Sequence, residues 1–461
     1  MTGRRDRDLP WPLVQIGELL RRGEAVLLMG AAAVSVLAGL ILMRGAAAGL
    51  EWVAAAAVIG AVLVVFAMAD ERVAVVLFGL SFLTVGNPDL RLKVGPLWIP
   101  LPAFAAGLIC ARELVRRCTT GSVPLFMPTI QLLGLFVAFG LSGFVAVNPT
   151  LYLAELVKWS AHVLVFVSMV MVLQRSQLVY LLLDLLTVTV GLLAAYGLYR
   201  VFSGQAYALD IFAGVGTRSA ASLYITAVLP LVYGRILDSS GFRLAGRATL
   251  LTLLGTALVF TYTRAGWVGS TCGLLVVAGR RWRAYVYIVL ALATLILLAP
   301  QGVRDRFLSI FIVADYGADS QYESSTVLRQ HLLRSGIRMA KDNWLIGVGL
   351  GSYWGNYYHY TVPGSQSWAN TPHNFFVLLL AETGILGLLS FLWLFASRMW
   401  IVWKEYQVAS GEARASLRAL LGSFVAMAVE ASFEDDLNVI IMWTLLGIGT
   451  ALVTALKRER A

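Results

Sequence analysis

Residues 373–397 read HNFFVLLLAETGILGLLSFLWLFAS, an almost uninterrupted apolar run that begins directly after a polar segment. As a helix, such a run crosses the roughly 30 Å hydrocarbon core of a bilayer. Similar runs recur along the chain, near 25–43, 52–69, 73–86, 97–113, 125–147, 152–173, 178–199, 219–234, 248–263, 266–279, 285–300, 415–433 and 437–456. We therefore predict an all-α, polytopic membrane protein with about 12 to 14 transmembrane helices.

The composition agrees with this class. Hydrophobic residues make up 59% of the chain and charged residues 13%, whereas soluble proteins carry about 25% charged residues. The net charge of +10 is spread over many short loops, as the positive-inside rule describes, so nucleic-acid binding is set aside. The charge pattern predicts a multi-pass membrane protein with both termini in the cytoplasm.

Three regions follow from the pattern, within one integrated membrane domain. Residues 1–300 are predicted as an N-terminal transmembrane bundle, 301–372 as a long outer (periplasmic) loop containing helices, and 373–461 as C-terminal transmembrane helices. No short apolar core with a small-residue cleavage site occurs near the N-terminus, so the first span is expected to anchor the chain. Residues 248–279 are predicted as a hairpin that turns at Arg264, because a single helix would place this arginine in mid-membrane.

The junction Asn370-Thr371-Pro372-His373-Asn374 is a candidate site for chemistry. Asn370 or Thr371 suits an N-cap and Pro372 the first helical position, which places His373 at the outer end of the next span. The positive end of the helix dipole favours neutral imidazole, a form that accepts protons near neutral pH. The alternative is an interfacial histidine that only caps the span.

Two arginines are predicted on the same membrane face. Arg329 shares a helical face with Leu332, Leu333, Gly336 and Ala340, so it needs an anionic partner, either a carboxylate of the fold or a phosphate. Arg264, in the turn 261–266, presents donors that fit a phosphate. A snorkelling arginine at the interface is the simpler explanation for Arg264 taken alone.

Other polar and aromatic residues are weaker candidates for substrate contacts. An aromatic belt at the headgroup level explains the aromatic ones equally well, and a solvated role suffices for Arg334 and Arg338. Gly347 to Gly351 are interpreted as a turn, since no preceding strand supports a nucleotide loop. The candidate substrate-binding residues are Arg200, Arg218, Arg334, Arg338, Tyr353, Trp354, Trp368 and Asn374.

Acidic residues near these positions leave the partners open. Glu155, Lys158 and His162 lie along one helix face and are expected to pair with each other. Glu382 lies within a span, and Glu430, Glu434, Asp435 and Asp436 flank the last outer turn. Any of these carboxylates is a possible partner for an arginine or for His373.

Several segments together resemble the O-antigen ligase and polymerase family. They are Ser325 to Arg329, the stretch Asp342-Asn343-Trp344-Leu345-Ile346-Gly347-Val348-Gly349, His373-Asn374-Phe375-Phe376, Glu382-Thr383-Gly384 and the turn Thr263-Arg264-Ala265-Gly266. The resemblance is specific over about residues 200 to 390. Leu333 stands where the family often has tryptophan, and Thr263 where it has serine.

This resemblance implies an all-helical, GT-C-like membrane glycosyltransferase that takes a glycan from undecaprenyl diphosphate at the periplasmic face. Arg264 and Arg329 would hold the diphosphate, and His373 would deprotonate the acceptor hydroxyl in an inverting reaction. No metal or other cofactor is implied. The acceptor is either lipid A-core, as in a ligase, or a second lipid-linked glycan, as in a polymerase; the span count slightly favours the latter.

Two other classes remain alternatives. A polysaccharide flippase or transporter would bind its anionic substrate at the arginines during transit, but transporter sites lie near the bilayer midplane. A non-catalytic partner in polysaccharide assembly would tolerate replacement of His373.

Overall fold

In a computed structural model of the chain, the structure is described for residues 70–84, 91–94, 97–120, 129–209, 218–237, 239–279, 301–308, 325–362, 371–435 and 438–461, and for a few single positions between 281 and 297. The predicted spans at 25–43 and 52–69, and most of 285–300, lie outside these residues. The described chain confirms the all-α class. Its helices are α1 (Glu71–Ser81), α2 (Leu101–Thr120), α3 (Thr129–Gly143), α4 (Pro149–Val172), α5 (Ser176–Phe202), α6 (Arg218–Ile236), α7 (Gly241–Phe260), α8 (Arg264–Ala278), α9 (Gln301–Leu308), α10 (Ser325–Asp342), α11 (Tyr353–Asn356), α12 (Phe375–Val408), α13 (Gly411–Ala431) and α14 (Ile440–Arg460).

Six of the described helices are long and apolar enough to cross a membrane: α4, α5, α6, α7, α12 and α14. Two more, Ile130–Gly143 within α3 and α8, are apolar but shorter. The predicted spans at 97–113 and 415–433 form α2 and α13, which carry several charged residues along their length. The described part of the chain is therefore a multi-pass helical membrane protein.

One predicted span begins with a different structure. Residues 97–100, expected to be helical, form β2 (Leu97–Pro100), which pairs antiparallel with β1 (Arg91–Val94) in a two-stranded hairpin. Pro100 explains the change, because proline lacks the N–H that a helix interior requires. The helix α2 starts after Pro100, at Leu101. Pro102 lies in the first turn of this helix, where proline is tolerated.

Ion pairs show which helix ends lie together. At one end, Arg235 of α6 pairs with Asp184 of α5 and with Glu412 of α13. At the same end, Arg460 of α14 pairs with Glu405 of α12. Two basic residues, Arg235 and Arg460, thus lie at one end of the bundle; which compartment this end faces stays a prediction.

Glycines allow α8 to approach α13 closely. A Cβ atom added to Gly269 would lie 2.6 Å from the Ala426 carbonyl oxygen, and one added to Gly273 would lie 2.7 Å from that of Gly422. Small residues four positions apart permit such close backbone contact between membrane helices, where lipid offers no hydrophobic drive for association. This packing sets the start of α8, at Arg264, beside the end of α13, which leads to Glu434.

The helix α12 is broken at Gly384, where φ is 65° and ψ is −169°. The loop after α10 satisfies the backbone groups that the break leaves: Val348 N–H donates to the Ala381 carbonyl at 2.9 Å, and Gly349 N–H to that of Glu382 at 2.9 Å. Ile385 N–H in turn donates to the Trp344 carbonyl at 2.8 Å. The loop at residues 344–349 is therefore fixed to α12, and the glycine run is a turn, as predicted.

The α8–α13 contact predicts a specific sensitivity. Gly269→Ala should destabilise the protein by about 1–3 kcal/mol, because its methyl group meets a backbone oxygen that cannot move alone. Thermal unfolding in detergent measures this. Gly246→Ala is the matched control, since nothing lies within 4 Å of an added Cβ there. Equal unfolding temperatures for the two variants would contradict the close contact.

Candidate functional site

An open pocket lies at the end of the bundle opposite the Arg235 ion pairs. Two helix N-termini reach it, those of α6 and α8, and α10 and the turn after α13 complete its wall. The lining residues are Arg218, Ser219, Tyr262, Thr263, Arg264, Ala265, Arg329 and Glu434. Three arginines face one carboxylate, and helix N-termini carry partial positive charge, so the pocket attracts anions.

The predicted partner of Arg329 is a carboxylate of the fold, Glu434. Nη2 of Arg329 donates to Oε1 of Glu434 at 2.8 Å, and Nη1 donates to the Phe433 carbonyl at 2.8 Å. The side chain of Arg329 is 34% exposed and that of Glu434 9%. This paired geometry holds α10 against the turn between α13 and α14.

Glu434 also lies beside His373. Its Oε2 is 3.5 Å from His373 Nδ1, and Oδ2 of Asp435 is 3.7 Å from the same nitrogen. Burial by itself raises the pKa of Glu434. The contact with His373 and the charge of Arg329 together outweigh this effect of burial and hold the pKa below its ordinary range. A carboxylate at Nδ1 favours the tautomer with its proton there, which leaves Nε2 as the proton acceptor.

The helix start at this point differs from the prediction. α12 begins at Phe375, and Asn374 is its N-cap, accepting a hydrogen bond from Val377 N–H at 3.0 Å. His373 therefore precedes the helix, with φ of 48°. Thr371 does not cap because its hydroxyl donates to Asp435; Asn370 lies outside the described residues. His373 is therefore oriented by side chains of the turn after α13, and not by being part of the helix.

The two residues that follow His373 are held by the turn after α13. Asn374 N–H donates to Oδ1 of Asp435 at 2.9 Å, and Phe375 N–H donates to the Glu434 carbonyl at 3.1 Å. A left-handed backbone is rare for a residue other than glycine, and it persists where neighbouring contacts determine it, often at functional sites. The position of the imidazole therefore depends on the turn after α13.

Of the four arginines among the candidate substrate-binding residues, one lines the pocket. Arg218 lines the pocket at the start of α6. Arg200 lies in the last turn of α5, and Arg334 and Arg338 are exposed on α10, where Arg338 donates to the Thr361 carbonyl at 3.3 Å. None of these three lines the pocket.

Two other predicted substrate-binding residues have their polar groups engaged within the fold. Tyr353 is only 2% exposed, and its hydroxyl donates to the Leu332 carbonyl at 3.1 Å, so its ring is core rather than a surface for sugars. Both polar atoms of the Asn374 amide already have partners: Oδ1 accepts from Val377 N–H, and Nδ2 donates to the Ser432 carbonyl at 2.8 Å. Trp354 is 54% exposed, away from the pocket lining, and Trp368 lies outside the described residues.

The expected group of Glu155, Lys158 and His162 divides in two. Lys158 pairs with Glu155 at 3.3 Å on the surface. His162 is buried instead, with Nδ1 3.0 Å from Oδ1 of Asn438, which also accepts from Trp443 Nε1 at 3.0 Å. His162 therefore braces the chain between α13 and α14 and does not join the ion pair.

Some pocket residues were not singled out from the sequence. Ser219 and Tyr262 line it, and their only signal was adjacency to Arg218 and Arg264. Glu434 and Asp435 were candidates among several carboxylates, with nothing local to distinguish them. Within the described ranges, no three His, Cys, Asp or Glu side chains are grouped as metal ligands would be.

Comparison with known proteins supports the motif resemblance. Residues 248–392 match the model of the O-antigen ligase family. The match covers most of α7, all of α8, α9, α10 and α11, and the first half of α12, and so contains Arg264, Arg329 and His373. The resemblance seen in the sequence motifs is confirmed over this region.

A curated relative is the teichuronic acid biosynthesis protein TuaE of Bacillus subtilis (strain 168). It is 25% identical over 232 residues, which cover 46% of this chain. The chain spans 45% of the length of that relative.

The Glu434 contacts predict a pH-dependent stability. A carboxyl whose pKa is lowered by folding stabilises the protein fully above its ordinary pKa of about 4.3, and this contribution is lost as the pH falls through the lowered value. Glu434→Gln should therefore unfold at a lower temperature than wild type at pH 7, and the difference should shrink towards about pH 3.

Thermal unfolding over this pH range tests the prediction. Glu155→Gln removes an exposed ion pair, which is worth little, and should have a small effect at every pH. A Glu434→Gln difference that does not change on acidification would contradict the ion pairing.

Proposed function

We propose that this chain is a membrane glycosyltransferase of the O-antigen ligase or polymerase type. It transfers a glycan from undecaprenyl diphosphate to an acceptor hydroxyl at the outer, periplasmic face of the bacterial cytoplasmic membrane. One observation carries the proposal: an arginine-lined pocket lies beside a histidine whose Nδ1 contacts two carboxylates. The family match over the same residues and a relative named for teichuronic acid biosynthesis support it.

The pocket suits a diphosphate leaving group. Arg218, Arg264 and Arg329, with the N-termini of α6 and α8, surround the space with positive charge. Such charge stabilises the negative oxygens that develop as the bond from the anomeric carbon to the phosphate breaks. Glu434 keeps Arg329 in place until the diphosphate binds.

His373 supplies the base. With Nδ1 directed at Glu434 and Asp435, Nε2 accepts the proton of the acceptor hydroxyl as its oxygen attacks the anomeric carbon. Attack opposite the leaving diphosphate inverts the configuration, and the carboxylates stabilise the imidazolium that forms. The proton then passes to solvent, and undecaprenyl diphosphate is released.

The position of the pocket favours this role over transport. Its residues lie at helix ends and in turns, at Arg218, Tyr262 and Glu434. Transporter sites lie near the bilayer midplane, commonly between broken helices. The break in α12 at Gly384 is already filled by the backbone of residues 344–349.

Replacing the base tests the proposal directly. His373→Ala and His373→Gln should each reduce glycan transfer by about 10²–10⁴-fold, the usual contribution of a general base. The assay uses purified undecaprenyl-diphosphate-linked repeats in liposomes, with and without lipid A-core. His359→Ala is the control, because His359 is exposed in the loop after α11 and does not line the pocket.

The acceptor dependence separates the two activities. Chain growth without lipid A-core indicates a polymerase, and capture only in its presence indicates a ligase. Full activity of His373→Ala would contradict the assignment of the base.

The arginines should act on the leaving group. Arg264→Ala should reduce transfer by about 10²–10³-fold, as the loss of one oxyanion donor does, and Arg264→Lys should retain part of the rate because it keeps the charge. Arg243→Ala, on the exposed face of α7 near the opposite end, is the matched control. If both alanine variants were fully active, the diphosphate role of Arg264 would fail.

A further inference from the structure

Two tyrosines stack at the edge of the arginine pocket. The rings of Tyr207 and Tyr262 have centroids 5.5 Å apart and an interplanar angle of 16°. Tyr262 lines the pocket itself, while Tyr207 is 80% exposed. The pair therefore extends the pocket wall outward as a flat aromatic surface.

The segment after α5 is fixed in a way that holds this stack. Leu209 N–H donates to the Phe260 carbonyl at 2.8 Å, and the Phe202 and Phe260 rings meet edge to face at 5.2 Å. Leu209 is fully buried against Gly197 of α5. Residues 203–209 are thus tied to the end of α7, and Tyr207 is the large apolar side chain in them that remains exposed.

The backbone conformation of Tyr262 also holds the pair in place. Its φ is 55°, a left-handed conformation that is rare for a residue other than glycine and persists where the surrounding structure holds it. Tyr262 N–H donates to the Val259 carbonyl at 3.2 Å, and Thr263 N–H to the Thr261 hydroxyl at 3.2 Å, which fix the turn. This turn places the Tyr262 ring against Tyr207, and it places Arg264, two residues later, in the pocket.

We propose that the Tyr207–Tyr262 pair is a binding surface for the sugar that is attached directly to the donor diphosphate. The inference rests on the proposed function, since it takes the pocket to hold that diphosphate. The anomeric carbon of the first sugar is bonded to a phosphate oxygen, so this sugar ring must lie next to the anion pocket. Tyrosine offers a flat apolar face to the C–H side of a sugar and a hydroxyl for its polar edge.

The sugar that binds the tyrosine pair is a different group from the diphosphate that binds the arginines. Arginine recognises the phosphates, which every undecaprenyl diphosphate carries, whereas the tyrosine surface recognises only a lipid that carries a sugar. A membrane-interface role for Tyr207, as in an aromatic belt, would make no distinction between the two lipids. Binding of the two lipids therefore separates the possibilities.

The experiment compares binding of undecaprenyl diphosphate with and without its glycan to purified protein in detergent. For Tyr207→Ala we expect binding of the glycan-bearing lipid to weaken about 3- to 10-fold, the range for one aromatic contact. Binding of the sugar-free lipid should not change. Tyr207→Phe should keep most of the affinity, and in transfer assays Tyr207→Ala should raise KM more than it lowers kcat.

Tyr196→Ala is the matched control, an exposed tyrosine on α5 that does not line the pocket. Equal loss for both lipids in Tyr207→Ala, or no loss for either, would overturn the sugar surface. The proposed function is tested separately, by binding of the sugar-free lipid to wild type and to Arg264→Ala. If wild type binds this lipid and Arg264→Ala loses the binding, the proposed function stands even where the sugar surface fails. If wild type binds neither lipid, the proposed function and this inference both fail.

Discussion

The site depends on how closely α8 packs against α13. Gly269 and Gly273 let the two backbones meet without intervening side chains, and in a bilayer such van der Waals contact is a main source of helix association. The consequence is electrostatic. The positive N-terminus of α8, with Arg264, comes to lie beside the chain that leaves α13 and carries Glu434 and Asp435. A bulkier interface would separate these charges and open the pocket.

Glu434 then connects three parts of the molecule. One carboxylate oxygen binds Arg329 of α10, and the other lies beside His373, just before α12. Burial alone would disfavour the charged carboxylate, but both neighbours favour it, so the ionised group and its two partners stabilise each other. The helix α10 and the histidine are therefore placed by the same residue rather than by separate supports.

The break in α12 supplies the second support. The backbone N–H groups of Val348 and Gly349 donate to the Ala381 and Glu382 carbonyls that the break frees, and Gly347 N–H donates to the Asn343 carbonyl. This explains physically why a glycine-rich stretch that resembles a phosphate loop is not one, because its donors are used. Glycine is required at 347, where φ is 72° and an added Cβ would lie 2.2 Å from the Glu382 backbone. The same contact fixes the C-terminal end of α10, whose other end carries Arg329.

The sequence by itself determined the helical membrane class, the end of the bundle where the polar residues gather, and the packed face of α10, because hydropathy and helical period depend only on near neighbours. It also identified Arg264, Arg329 and His373 as candidates. It did not determine which carboxylate serves them, that Asn374 rather than Asn370 or Thr371 caps α12, that Tyr353 is buried, or that Tyr207 meets Tyr262. Those depend on contacts such as Arg329 with Glu434, 105 positions apart. Only the packing of helices distant in sequence decides such pairs, since no local pattern distinguishes Glu434 from Glu430 or Glu382.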